Sequence, residues 1–125
     1  MTEPLVMIND YRINPEQTDA FLARYAELVQ VVEAEEPKML YFAEHLAPDR
    51  AEGSTVQVHA EAANMEHHFA LVGDRIAELV GYLDLHAIRV YGTPTEPVLE
   101  QLQAIAGDAL VVKPLELGFD RLPRV

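Results

Sequence analysis

Three of the five histidines, His59, His67 and His68, lie within the stretch HAEAANMEHHFALVG (59–73). Histidine titrates near neutrality, so such a group can ligate a metal, move a proton, or decorate a helix surface. Metal binding is disfavoured by the spacing. Zinc sites on helices place two histidines four residues apart on one face. His67 and His68 are adjacent and point about 100° apart. There is no HxxxH, and with no cysteine there is no thiolate ligand and no disulfide. No metal site is expected.

Helical phase separates the two neighbours. His68 follows Met65 by three residues and precedes Val72 by four, so it belongs to the apolar face. It reads either as a buried histidine satisfied by backbone or a carboxylate, or as a proton-transfer group. His67 aligns with Leu71, Asp74 and Glu78 and reads as a solvated surface residue. His59 ends a strand in which Val56 and Val58 take one face, and Thr55, Gln57 and His59 the other. Asn9 sits in an apolar strand. Its buried amide needs partners or costs about 1–3 kcal/mol, so it is a structural tether or a ligand contact.

The elements that position these residues follow from periodicity. LVMINDYR (5–12) is a first strand, and its lack of clean alternation predicts cover on both faces. Asn14 as cap, Pro15 at the first helical position and Gln17 predict a helix over 15–35 that stops at Pro37. MLYFAEHL (39–46) is a second strand, APDRAEGS a loop, and STVQVHA (54–60) a third strand. A second helix spans 63–83 on Met65, Phe69, Val72, Ile76, Leu79 and Leu83, with Gly73 as a kink or a close approach. HAIRVYG (86–92) is the fourth strand. The order β-α-β-β-α-β predicts an α+β, ferredoxin-like domain: an antiparallel sheet with helices on one face.

A C-terminal extension, 93–125, follows the core domain of 1–92. It predicts a short helix through Ile105 capped by Thr95 and ended by Gly107, then a strand in ALVVKPLELGF (109–119). Pro114 places that strand at a sheet edge, its own subunit's or the partner's.

The remaining balance sets limits. Nine basic residues stand against 21 acidic ones, a net charge of −12. A nucleic-acid or anionic-membrane partner needs clustered cations, which this chain lacks. No apolar run is long enough to span a membrane. MTEPLVMIND has no basic n-region, so a cytoplasmic protein is expected.

The element order, with VHAEAANMEHHFALV (58–72) and IRVYGTP (88–94), resembles the antibiotic biosynthesis monooxygenase family of dimeric α/β-barrel proteins, over about residues 4–92. The resemblance implies a homodimer. It implies an oxygenase needing no cofactor, acting on an aromatic or quinol-type small molecule, or else a haem-degrading or non-catalytic relative. Asn9 matches the strand-1 asparagine of haem-degrading and some oxygenase members, and His68 the histidine of the family's helix motif. His59 stands where haem-degrading members often carry tryptophan, and Val72, Gly73 and Asp74 stand where a second helix histidine is common. Both departures, and the acidic charge, argue against haem degradation. The expectation is a monooxygenase in which Asn9 holds a substrate oxygen and His68 or His59 takes its proton. The alternative is a non-catalytic binding or structural protein of the same fold. Tyr82 and Tyr91 read as packing residues. A four-stranded sheet with one bare face predicts an isologous dimer through that face, near Met7, Phe42 or Tyr41, and Tyr91.

Overall fold

A computed structural model describes residues 3–123. Its elements are β1 (Leu5–Ile13), α1 (Thr18–Glu35), β2 (Met39–Leu46), β3 (Glu52–His59), α2 (Ala63–Val80), β4 (Leu83–Tyr91), α3 (Glu96–Ala106), a 3₁₀ turn (Gly107–Ala109) and β5 (Leu110–Lys113). The sheet order is β2-β3-β1-β4-β5. Its first four strands pair antiparallel, as a ferredoxin-like β-α-β-β-α-β core requires. The expected all-antiparallel sheet needs one correction. β5 joins its own subunit's β4 and runs parallel to it, because α3 supplies the crossover that returns the chain to the same end. The strand ends at Lys113, one residue before Pro114 would break the ladder.

Four boundaries differ from the sequence reading. α1 begins at Thr18, because Glu16 takes a left-handed conformation (φ 66°) that no helix accommodates. Asn14 does not cap it. Its backbone N–H and side-chain amide instead bond the carbonyls of Tyr82 and Gly81, tying the β1–α1 turn to the α2–β4 turn. α2 ends at Val80, and Leu83 pairs with Ile13 as the first residue of β4. β3 begins at Glu52, two residues before the expected Ser54, so Glu52 and Gly53 are strand residues rather than loop. α2 runs unbroken through Gly73, which admits no close neighbour: a Cβ there would meet nothing within 4 Å. Thr95 occupies the N-cap position of α3 without a side-chain cap bond, and Gly107 ends that helix at φ 51°, a conformation glycine adopts without steric cost.

All three helices cover one face of the sheet. α1 buries Phe21, Tyr25, Leu28 and Val32 at helical spacing, against Tyr11, Ile13 and Val72. α2 buries Met65, His68, Val72 and Leu79. α3 is part of the same core, with Val98 and Leu102 packed on Leu5, Met7, Met65, Ile88 and Val90. Each such apolar side chain contributes about 1.5–3 kcal/mol when fully buried.

The strands invert the usual pattern. Under the helices β3 presents Gly53, Thr55, Gln57 and His59, all buried, while Val56 and Val58 face the uncovered side. Register places Val58 beside Val6 and Tyr41, and Val56 beside Ile8 and Ala43. Met7 and Phe42, expected near the bare face, lie under the helices instead. Met7 is in the core, and the Phe42 ring stacks on Tyr25 at 5.5 Å. The bare face carries Val6, Ile8, Val56, Val58, Tyr41 and Tyr91, with the two tyrosines exposed. No helix among the described residues is long and apolar enough to cross a membrane.

Candidate active-site pocket between sheet and helices

The inverted faces mean that polar side chains point into the interior, where they line a pocket. Its floor is Met7, Asn9, Tyr11, Thr55 and Gln57; α1 supplies Tyr25, α2 supplies His68 and Phe69, and α3 supplies Leu102 and Ile105. Its inner volume is about 80 Å³, within a cleft of about 660 Å³ once the open mouth is counted. Val80 and Ile105, two lining residues left 40% and 42% exposed, mark the mouth between α2 and α3.

The helical phase holds: His68 is buried at 1% exposure and His67 is exposed. His68 Nδ1 lies 2.7 Å from Glu36 Oε2, and both side chains are essentially inaccessible. Glu36 reaches inward because Pro37 disfavours helical geometry at the residue before it. Glu36 therefore leaves the helix at φ −125°, ψ 76° and turns its carboxyl toward α2. An ionised Glu36 can only accept, so in that state Nδ1 donates to it. Nε2 is buried with no protein partner, so it is the ring nitrogen left to meet a ligand. Phe42 and Phe69 flank the ring at 5.6 and 6.1 Å.

Asn9, on β1 between Thr55 and Ile88, has a buried amide oxygen with no partner. The Tyr25 hydroxyl is likewise buried and unbonded, and burial pushes that phenol up. His59 lies behind the pocket. Its Nε2 meets Gln57 Oε1 at 3.0 Å and its Nδ1 meets the Asn64 amide at 2.9 Å. Burial, aided by the neighbouring His68, pushes His59 down to about 3, and its ring meets His68 edge-on at 5.8 Å. Of the three site residues named from the sequence, the fold brings His68 and Asn9 to the pocket wall and sets His59 in the layer that supports His68. Glu36 was missed. Its signal, an acidic residue directly before a helix-ending proline, is weak on its own. Among the described residues no three His, Asp or Glu side chains converge as metal ligands would.

The arrangement can accept a proton from a ligand hydroxyl at His68 Nε2 and accept a hydrogen bond from a second ligand hydroxyl at the Asn9 amide oxygen, in an apolar enclosure. The fold is that of the antibiotic biosynthesis monooxygenases. MupZ from Pseudomonas fluorescens superposes with a TM-score of 0.75 at 19% identity, over 97% of this chain and 91% of that one. SnoaB from Streptomyces nogalater, a cofactor-independent oxygenase, superposes with a TM-score of 0.62 at 12% identity, over 77% of this chain and 99% of that one. A Chloroflexus aurantiacus protein assigned to the antibiotic biosynthesis monooxygenases gives 0.61 at 20% identity, over 74% and 94%. SnoaB and the Chloroflexus protein leave about a quarter of this chain unmatched, whereas the match to MupZ extends through most of the C-terminal extension. No family model matches the sequence, and no curated protein matches it.

Proposed function

We propose that this chain is a member of the antibiotic biosynthesis monooxygenase family and a cytoplasmic, cofactor-independent monooxygenase for a small aromatic hydroquinone or phenol. The observation that carries this reading is the free Nε2 of His68, buried at a pocket wall while Glu36 holds Nδ1. Without a redox cofactor the substrate must supply all four electrons that reduce O₂. A CH₂ flanked by aryl rings does so when it becomes C=O and releases water. A hydroquinone does so when it becomes a hydroxyquinone and water. Both begin with removal of a proton, which raises the electron density that O₂ accepts. His68 takes that proton, the Asn9 amide oxygen orients the substrate by accepting from a neighbouring hydroxyl, and His59 supports the His68 ring.

Oxygen uptake should therefore rise when the protein meets hydroquinones or anthrones. His68→Ala should lower that rate by about 10²–10⁴, the usual contribution of a positioned base. Equal uptake by wild type and variant would sink the reading. One observation favours a second reading, a non-catalytic binder of small phenols: the inner volume of about 80 Å³ is far below the roughly 300 Å³ at which ligand pockets begin. Saturable phenol binding with no oxygen uptake from any of these compounds would select it.

We also propose a homodimer through the bare sheet face. The row Tyr41–Val58–Val6–Tyr91 leaves apolar surface that this chain does not cover. Beyond β5 the tail exposes Leu115, Leu117 (86%) and Phe119 (81%), and with Val6 and Tyr91 it frames an open groove of about 800 Å³. A second copy would bury the row and the tail together. Because β5 belongs to its own sheet, truncation should start after Lys113. Removing 114–125 should weaken the dimer by about 25 cal/mol for each Å² of apolar surface re-exposed, read as a fall in light-scattering mass and in Tm. A truncated protein keeping both would show that the tail takes no part.

A further inference from the structure

A second polar cluster adjoins the pocket and is used by none of the steps above. Glu44 on β2, Tyr11 on β1 and Thr55 on β3 meet side by side on the helix-covered face. The Tyr11 hydroxyl donates to Glu44 Oε1, the Thr55 hydroxyl donates to the same oxygen at 3.2 Å, and the two hydroxyls lie 3.0 Å apart. Tyr11 and Thr55 line the pocket, with Glu44 behind them. Glu44 Oε2 is buried with no partner, and no cationic side chain is paired with this carboxyl among the described residues. The backbone clears room for the cluster. A Cβ at Gly53 would stand 2.5 Å from Glu44 Oε2 and 2.8 Å from the Tyr11 ring, so a side chain there would displace both groups.

We propose that Glu44, Tyr11 and Thr55 form the anion-holding pole of the pocket, in which a proton taken up by Glu44 frees the Tyr11 and Thr55 hydroxyls to donate to a ligand oxyanion. When Glu44 is ionised, both hydroxyls are committed to its carboxylate. When it is protonated it needs neither, and it can itself donate to one of their oxygens. The hydroxyls can then turn to an anionic ligand oxygen such as a phenolate or enolate, a stronger acceptor than the neutral oxygens around them. A dry site strengthens such bonds because no water competes for them. Burial pushes Glu44 up to about 7, with the hydrogen bonds from Tyr11 and Thr55 opposing it, so the two states exchange at neutral pH. The titratable groups facing the cluster are the Tyr11 and Tyr25 phenols, and burial pushes both up, which keeps them protonated there.

The proposal rests on the pocket being a ligand site but not on oxygen chemistry, and its test needs no turnover. The probe is pentafluorophenol, compact and ionised across the neutral range, with binding followed by fluorine NMR. For wild type, the Kd should rise about tenfold for each pH unit above about 7 as Glu44 loses its proton, and level off below. Glu44→Gln should bind with no such dependence. Tyr11→Phe should weaken binding about tenfold on the acid side, the worth of one hydrogen bond to a charged group. Thr55→Val should weaken it by a smaller factor. A pH dependence that survives in Glu44→Gln would assign the proton to His68 and overturn the proposal, as would a wild type that does not bind the probe. Normal oxygen uptake with a flat pH profile of binding would reject this pole and leave the oxygenase reading standing. The expected profile without oxygen uptake would do the reverse.

Discussion

Acidification is expected to destabilise the protein mainly through His59. Its folded value lies near 3 against an ordinary 6.5, because burial keeps the ring neutral between Gln57 and Asn64. The unfolded chain therefore binds the extra proton first, and stability falls as pH drops from 6.5 toward 3. At about 1.4 kcal/mol for each pH unit between those values, the loss approaches roughly 4–5 kcal/mol. That is a large share of the roughly 5–15 kcal/mol by which domains are stable. Glu44 acts in the opposite direction. Its folded value is raised from 4.5 to about 7, so the folded state holds the proton longer and loses stability as pH rises across that window. Its contribution is at most about 3 kcal/mol and smaller in practice, since solvent reaches part of the side chain. Urea unfolding across this range should show a broad optimum in wild type. His59→Gln should flatten the acid limb, and Glu44→Gln the limb between 4.5 and 7. An acid limb of unchanged slope in His59→Gln would show that other groups carry the acid sensitivity.

The residues that were legible in the sequence are those whose role follows from local periodicity. The phase of Met65, Val72 and Leu79 was enough to bury His68 and expose His67, because a helix fixes side-chain direction within a turn. The alternation in STVQVHA separated Thr55, Gln57 and His59 from Val56 and Val58 in the same way. What alternation could not say is which face the helices would cover. Valines outward and polar groups inward is the less common choice, and it becomes intelligible once the interior holds a pocket and the exterior is the face proposed to meet a second copy. The missed α2–β4 boundary has a similar origin. Leu83 continues the apolar stripe of α2 by sequence spacing, yet a turn after Val80 commits it to β4.

The partners of the site were less legible because they are distant in sequence. Glu36 and His68 are 32 residues apart, and Tyr11 and Glu44 are 33 apart. Glu36 stands in VVEAEEP, where each glutamate looks like part of a solvated helix end, and only the turn forced by Pro37 distinguishes it. Glu44 carried a plainer signal. It shares a strand face with Phe42 and Leu46, and a carboxylate flanked by two core residues needs partners to be tolerated. Gly53 reads as loop punctuation beside Ser54. Its actual constraint, space for Glu44 and Tyr11, exists only once three strands are aligned.

Breaking the Glu36–His68 pair should separate its structural from its chemical role. Both groups are inaccessible, and Glu36 Oε1 and His68 Nε2 are unpaired. Two buried polar atoms without partners are a poor arrangement for stability, each costing about 1–3 kcal/mol. Glu36→Ala leaves His68 without the group that fixes its proton and opens a cavity, so it should cost about 3–5 kcal/mol in urea unfolding. It should also lower oxygen uptake by about 10²–10⁴, since an imidazole free to carry its proton on Nε2 cannot accept another there. The double variant Glu36→Leu with His68→Phe replaces the pair by apolar groups of similar size. It should recover most of that stability, and an apolar core in place of a buried hydrogen-bonded pair of titratable groups can even add about 1–4 kcal/mol. Oxygen uptake should stay at the level of His68→Ala. A double variant as unstable as Glu36→Ala would mean that the pair is retained because the fold needs it. Restored stability with uptake lost would mean that Glu36 is kept beside His68 for the proton that Nε2 must accept.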